Sequence, residues 1–503
     1  MPYNHGVRVL EKPTSAVAPI LGTAGLQVVF GTAPINLAAN PYGVTNVPVL
    51  CYTWDEAVTK LGYSEDYDKY TLCASMYASF QLFRVAPVIF INVLDPAVHK
   101  KTNASADVTV ESLQATVRTE GILLPSVDVK MVTGSGEDEQ TTALAYKTDY
   151  VLEFDSNGYL LITLTATGAG AAATKLRVAS TSIDPTAVTQ SDIIGASATG
   201  GEKGMEVLRQ VYPRFSMTPG LLIAPGWSHK PDVGIVLAAK CEEINGYFTC
   251  EAFVDIDSGA SGCRAYDTVK QAKERAGCTS NHVMALWPCI TVGSRKFWYS
   301  AIMGALTAYI DATNDDVPNL SPSNKLLGVT GTVLADGAYT EDSDGNGTWS
   351  NEVFLDQLQG NAVNAVGVTT AINNNGWRTW GNNTAAYPAT TDPKDRWFCC
   401  RRFFSWWGNS FILTYAQKVD DPANRRLIES IVDAENIRGN AYVAQDKCAA
   451  AYIEFVETEN TVQGLLGGKI TFHQHLAPYT PAEDILNTLE FDPDALASAL
   501  NGG

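Results

Sequence analysis

Val88-Ile89-Phe90-Ile91-Asn92-Val93-Leu94 is an apolar run broken only by Asn92. A continuous run of this kind fits a strand covered on both faces, as in a parallel sheet, rather than one with a solvated side. The neighbouring sequence agrees. Residues 28–34 (Val-Val-Phe-Gly-Thr-Ala-Pro) read as an earlier strand, and 54–61 and 67–83 carry helical spacing, with Leu72, Met76 and Phe80 on one face. Further on, Leu221-Leu222-Ile223-Ala224-Pro225-Gly226 opens a second series: helix over 232–244, strand over 250–256, helix over 266–277, strand over 282–287. Strands alternating with helices of this length imply parallel βαβ units with right-handed crossovers.

Between the two series the composition changes. Residues 98–204 hold no Trp and no Cys and are rich in Thr, Ala, Ser and Gly. Two short strand patterns, 150–154 and 159–164, flank Asp155-Ser156-Asn157-Gly158, and Asn-Gly between strands is a strong hairpin signal. The segment reads as a β-rich insertion, closed by a glycine-rich run over 195–204. Residues 21–97 and 205–355 then form one interrupted α/β domain. A 356–480 domain of mixed α and β follows, with extended segments at 1–20 and 468–503 and an acidic tail from 481. The fold class is α/β plus α+β, multidomain.

A formal net charge of -19 argues against direct contact with nucleic acid, since phosphate neutralisation needs clustered Lys and Arg. It also makes copies of the chain repel at long range, so that salt should favour association. Ten cysteines in 503 residues are too sparse for a disulfide scaffold, and reduced, buried thiols are expected. The apolar stretch 16–33 imitates a signal peptide, but Pro19, Gly22 and Gly25 interrupt any helix there. The run 299–310 falls short of the ~20 residues a membrane span needs, so a soluble, unexported chain without membrane insertion is expected.

No constellation commits to catalysis. There is no G-x-S-x-G elbow, and neither His229 nor His282 sits in a protease-like motif. Gly464-Leu465-Leu466-Gly467-Gly468-Lys469-Ile470 fails as a phosphate loop: the glycine spacing is short, and Ile470 stands where Ser or Thr would hold magnesium. Asp342-Ser343-Asp344-Gly345-Asn346-Gly347 matches the first half of a calcium loop, but Val353 occupies the position of the bidentate acid, so a polar surface hairpin is expected. His473 and His475 alternate on a strand and face one side. No third ligand is near in sequence, and strand-face packing is the reading adopted. The pairs Trp377 with Trp380 and Trp406 with Trp407 are expected to build core or interface. No catalytic, cofactor-binding or metal residue is assigned.

The last third of the chain carries a resemblance. Gly376-Trp377-Arg378-Thr379-Trp380-Gly381-Asn382-Asn383-Thr384, then Gly467-Gly468-Lys469-Ile470-Thr471-Phe472-His473-Gln474-His475-Leu476-Ala477-Pro478, then Pro481-Ala482-Glu483-Asp484, resemble in order the C-terminal domain of tail sheath proteins of contractile injection machines: phage tails, R-type tailocins and their relatives. His5-Gly6-Val7-Arg8-Val9-Leu10-Glu11 resembles that family's N-terminal strand, and 28–34 its first core strand. One departure is Asn383, where the family more often has Arg.

The resemblance implies a subtilisin-like α/β core without protease activity, the β-rich insertion on the outer surface, and terminal arms that add strands to neighbouring subunits. Gly6, Val7, Arg8, Val9 and Leu10 would form one arm. Lys469, Ile470, Thr471, Phe472 and His473 would begin the other, with 450–457 as the receiving strand. It implies stacked rings or a helix of identical subunits around an inner tail tube protein, with baseplate and tail terminator proteins at the ends. The assembly would form in the host bacterial cytoplasm and act as a virion tail or tailocin that contracts to drive the tube through a cell envelope. No cofactor is implied. A concentration of basic residues in the 356–480 region, with Arg401, Arg402, Arg425 and Arg426 as candidates, would face the tube. The alternative is a cytosolic α/β enzyme or ligand-binding protein that uses the same core.

Overall fold

The protein is described from a computed structural model, which covers residues 23–198 and 201–501. Gly6, Val7, Arg8, Val9 and Leu10 lie outside the described residues.

The centre of the molecule is an eight-stranded sheet. Its order is Pro48–Cys51, Val88–Asn92, Gln27–Gly31, Leu221–Ile223, Glu251–Asp255, Val283–Leu286, Val368–Asn373, Trp377–Trp380. The six inner strands run parallel, with Val28 opposite both Ile89 and Leu222, Ile223 opposite Phe253, and Leu286 opposite Thr369. Each edge strand is antiparallel to its neighbour. Val88–Asn92, Gln27–Gly31 and Glu251–Asp255 are buried at every position, as double-sided cover requires. One cover is the helix Tyr299–Ala312, in which all residues but Tyr309 and Ala312 are buried. The apolar run of 299–310 is thus explained by packing on the sheet.

Most strands and helices lie where the sequence places them, with shifted ends. The helix expected from 67 starts at Thr71, because the Asp66 carboxylate accepts the Lys69 N–H and bends the preceding residues into a turn. The helix expected to reach 244 stops at Ala239, ahead of a turn in which Glu243, Asn245 and Gly246 all take positive φ.

Two small antiparallel sheets make up the insertion. One has the order Lys100–Thr109, Lys175–Ile183, Asp128–Thr133, Gln140–Ala143; the other has Gln114–Val117, Leu160–Leu164, Tyr150–Phe154. They enclose their own apolar cluster, including Val117, Leu160, Ile162, Leu176 and Val178. Its upper limit differs from the composition reading. Ile183, Val188 and Ile193 belong to the main core, and Gly204 is buried with its N–H donated to Asn46 Oδ1 at 2.8 Å.

The other boundary is also corrected. Val368–Asn373 and Trp377–Trp380 complete the main sheet instead of starting a separate domain at 356, because Val368, Ala371 and Trp377 pack into the same core. Beyond them, the helices Phe398–Tyr415 and Arg425–Ala444 clasp a third cluster built on Phe403, Trp406 and Trp407, with Tyr442 edge-on to both tryptophans. All ten cysteines are unpaired and buried. Among the described residues no helix is long and apolar enough to cross a membrane.

Candidate functional site

The unusual surface of the protein is at its C-terminal end. Ala450–Glu454 and His473–Ala477 pair antiparallel as an isolated two-stranded ribbon, with Glu454 opposite His473, Tyr452 opposite His475 and Ala450 opposite Ala477. Ala451 and Ile453 are buried on the side of the helix Arg425–Ala444. That helix comes close enough that a Cβ on Gly439 would sit 2.0 Å from the Ala451 carbonyl oxygen. Glycine in a helix interior costs about 1 kcal/mol against alanine, and close approach is what it provides in return.

The two edges of this ribbon differ. On Ala450–Glu454, Asn436 donates to the Ile453 carbonyl at 3.1 Å and accepts the Ile453 N–H at 2.9 Å. A side-chain amide thereby satisfies both groups that a neighbouring strand would otherwise take. The edge of His473–Ala477 is open: among the described residues no strand pairs with its far side. Residues 450–457, expected to receive a neighbour's strand, are therefore enclosed by helix and partner strand, and the free edge belongs to the other strand. An open edge is a template for strand addition.

Of the residues read as beginning the second arm, Lys469 follows the short helix Val462–Leu466 and a turn at Gly467-Gly468, its N–H donated to Gly464 O at 3.0 Å. The glycine-rich stretch is a turn. Thr471 exchanges two hydrogen bonds, each 2.8 Å, with the Asn460 amide, and Phe472 packs edge-on against Phe455. His473 is already laddered to its own chain. Within one copy, this segment turns back and pairs at home because Gly468, at φ +81°, allows the reversal.

Past Pro478 the chain has no sheet partner until the helix Pro493–Leu500. Ile485, Leu486, Leu489 and Phe491 are each at least 78% exposed. Four large apolar side chains in seven residues thus stand exposed together in an otherwise acidic tail, more than scattered surface residues account for. The tail is fixed at its start by Glu483, 2.6 Å from Arg396, whose guanidinium lies over Trp397 and whose Nε donates to Asn383. Asn383 thus accepts from an arginine at the position where the resembling family more often places one.

The basic candidates separate sharply. Arg402 cannot face a tube: its side chain is 2% exposed, held to Asp311 by hydrogen bonds of 3.0 and 2.5 Å and to the Ala24 carbonyl at 2.9 Å. Arg401 is mostly buried and paired with Asp395 at 3.3 Å. Arg425 and Arg426 are exposed at the start of their helix, Arg425 with its Nε 2.7 Å from Glu429. Charge alone cannot tell which way an adjacent pair of arginines points on a helix, which is why the sequence grouped all four.

The other candidate constellations are occupied structurally. His229 stacks on Trp298 at 4.3 Å, and burial pushes its imidazole down to about 4. His282 bonds to the Cys250 carbonyl and lies 3.5 Å from Glu251. Ser228 and Ser300 both donate to Asp255, a carboxyl that burial pushes up to about 6. Asp342 accepts the N–H groups of Asp344 and Asn346, which closes a surface hairpin turn and lowers its pKa. Trp377 and Trp380 donate to Thr330 O and to Asn361 within the main sheet's surroundings.

No family model matches the chain. It is similar to the tail sheath protein of Burkholderia phage BcepMu, 27% identical over 515 residues that span 100% of this chain and 99% of the relative. It is also similar to the tail sheath protein of Escherichia phage P2, 23% identical over 59% of this chain and 70% of that one. Among solved structures, the sheath complex of an extracellular contractile injection system (PVC) in its contracted state superposes with a TM-score of 0.56 at 12% identity, over 98% of this chain and 100% of its own.

Proposed function

We propose that this chain, similar along its whole length to one phage tail sheath protein and over part of it to others, is the structural subunit of a contractile tail sheath. The observation that carries this reading is the match across 100% of this chain and 99% of the relative. Copies polymerise as stacked rings or a helix around an inner tail tube, with baseplate and tail terminator proteins at the ends. Contraction drives the tube through a target envelope. The particle is a virion tail or tailocin assembled in the bacterial cytoplasm.

The eight-stranded sheet corresponds in this reading to a subtilisin-like core used as a rigid body, without catalysis. The insertion decorates the outside and the helices of 398–444 lie toward the tube, with Arg425 and Arg426 as the exposed cations. The N-terminal arm, Gly6 to Leu10, adds a strand to the open edge of a neighbour's His473–Ala477, and the apolar tail from Ile485 docks on another copy. The open edge and the exposed tail support this, because among the described residues of one copy neither surface is covered. Each added strand would contribute a few hydrogen bonds of about 1 kcal/mol net. Small differences per subunit between extended and contracted packing, summed over many copies, make the switch all-or-none.

Sedimentation and negative-stain microscopy of protein co-expressed with its tube test the reading. Long tubes are expected. A stable small species with enzymatic turnover would favour an α/β enzyme instead.

A further inference from the structure

We propose that the exposed face of the C-terminal ribbon is a binding site for a late first-row divalent cation, with Zn²⁺ as the representative ion, held by Glu454, His473 and His475. The register brings these residues together. Glu454 stands directly opposite His473, and His475, two residues further along its strand, projects from the same face. One ligand atom from each of the three can be chosen so that all lie within 4.8 Å of one another. In a tetrahedral zinc site with bonds of roughly 2.0–2.1 Å, ligand atoms sit about 3.4 Å apart. The closing movement needed is a rotation of His473 and Glu454, 50% and 53% exposed, toward the stacked His475 ring.

Two features set the histidines for this role. The His475 ring stacks on Tyr452 at 4.5 Å with planes 14° apart, which fixes its orientation. His473 Nε2 lies 3.0 Å from a second carboxylate, Glu459, in the turn after the first strand. Glu459 is placed to hold the outer N–H of a coordinated imidazole, the arrangement that makes a histidine ligand more basic. His475 Nε2 is 3.2 Å from Glu454 Oε1, so two imidazoles and two carboxylates already converge in pairs. A donor set of two imidazoles with carboxylate suits Zn²⁺, Co²⁺ or Ni²⁺, and does not suit Ca²⁺ or Mg²⁺, which take oxygen ligands.

The site ties the strand with the open edge to its enclosed partner, and so pins the ribbon in register. That binding claim stands without the sheath reading. Only its consequence rests on it: if the ribbon receives a neighbour's strand, a bound ion would stiffen the acceptor.

The experiment is isothermal titration of Zn²⁺ into purified, untagged full-length protein, with parallel titrations of Mg²⁺ and with Co²⁺ followed by visible absorption. One Zn²⁺ per chain is expected, with Co²⁺ giving the strong d–d bands of a four- or five-coordinate site and with no Mg²⁺ heat. His473→Ala and His475→Phe, the latter keeping a ring against Tyr452, should each weaken binding about tenfold or more. Glu454→Gln should act in the same direction, with circular dichroism unchanged in all three. Absence of stoichiometric Zn²⁺ binding would overturn the proposal. So would binding that survives His473→Ala combined with His475→Phe, since the ion would then lie elsewhere.

Discussion

Replacing Asp311 by Asn leaves the Arg402 guanidinium in a site from which water is excluded, with its counter-charge gone. The two side chains are 1% and 2% exposed, joined by two hydrogen bonds, and they couple the end of the helix Tyr299–Ala312 to the start of Phe398–Tyr415. Breaking one side of a buried pair costs about 3–5 kcal/mol, because the surviving charge has lost its solvent and its partner. Arg402 keeps the Ala24 carbonyl and the attraction of Glu251 and Asp316, which places Asp311→Asn near the lower end, at about 3 kcal/mol. Asp311→Leu with Arg402→Met removes both charges and should lie within about 1 kcal/mol of the parent. Guanidinium unfolding followed by tryptophan fluorescence reads the effect locally, since Trp406 and Trp407 sit one turn beyond Arg402. If Asp311→Asn unfolds within about 0.5 kcal/mol of the parent, or the apolar double variant is as unstable as the single one, the pair does not join these helices as argued.

The folded-state pKa of His229, about 4, is below its ordinary 6.5, so the unfolded chain takes up the proton first and stability falls as pH drops from about 6.5 through 4. His229→Phe keeps the stack on Trp298 and should spare on the order of 3 kcal/mol of that loss, measured as the difference in unfolding midpoints at pH 7 and pH 4. Lys100 and Ile183 face each other in register, so deleting 101–182 behind a short Gly-Ser turn should leave a folded subunit that still assembles. A folded variant that forms no tubes would place the insertion within the sheath contacts. Arg425→Glu with Arg426→Glu should leave folding intact, as both are exposed, and weaken co-sedimentation with the tube; unchanged binding would remove them from the tube interface.

The inner sheet could be read from sequence because burial on both faces writes itself as unbroken apolar runs, as in 88–91 and 221–224. The insertion hairpin could be read because Asn157-Gly158 announces its turn. Val368–Asn373 is harder to read: Thr369-Thr370 interrupt its apolar pattern as a surface segment would, and only pairing with Val283–Leu286 puts the strand in the core. Arg402 shows the same limit in electrostatics. Its partner lies 91 residues away, so a basic cluster in sequence resolves into one buried ion pair and a separate exposed pair only in three dimensions. The third ligand beside His473 and His475 was hidden likewise, because Glu454 reaches them through strand register and not through spacing. Asn436 closing a strand edge has no sequence signature at all.

The central claim, that copies of this chain build a sheath by adding strands to one another, is tested most directly by helical reconstruction of tubes formed with the inner tube protein. At side-chain detail, the account predicts a strand from a neighbouring copy laddered to the open edge of His473–Ala477, with the edge at Ile453 still capped by Asn436. Tubes in which that edge stays bare, or the absence of tubes under conditions where the tube protein itself assembles, would contradict it.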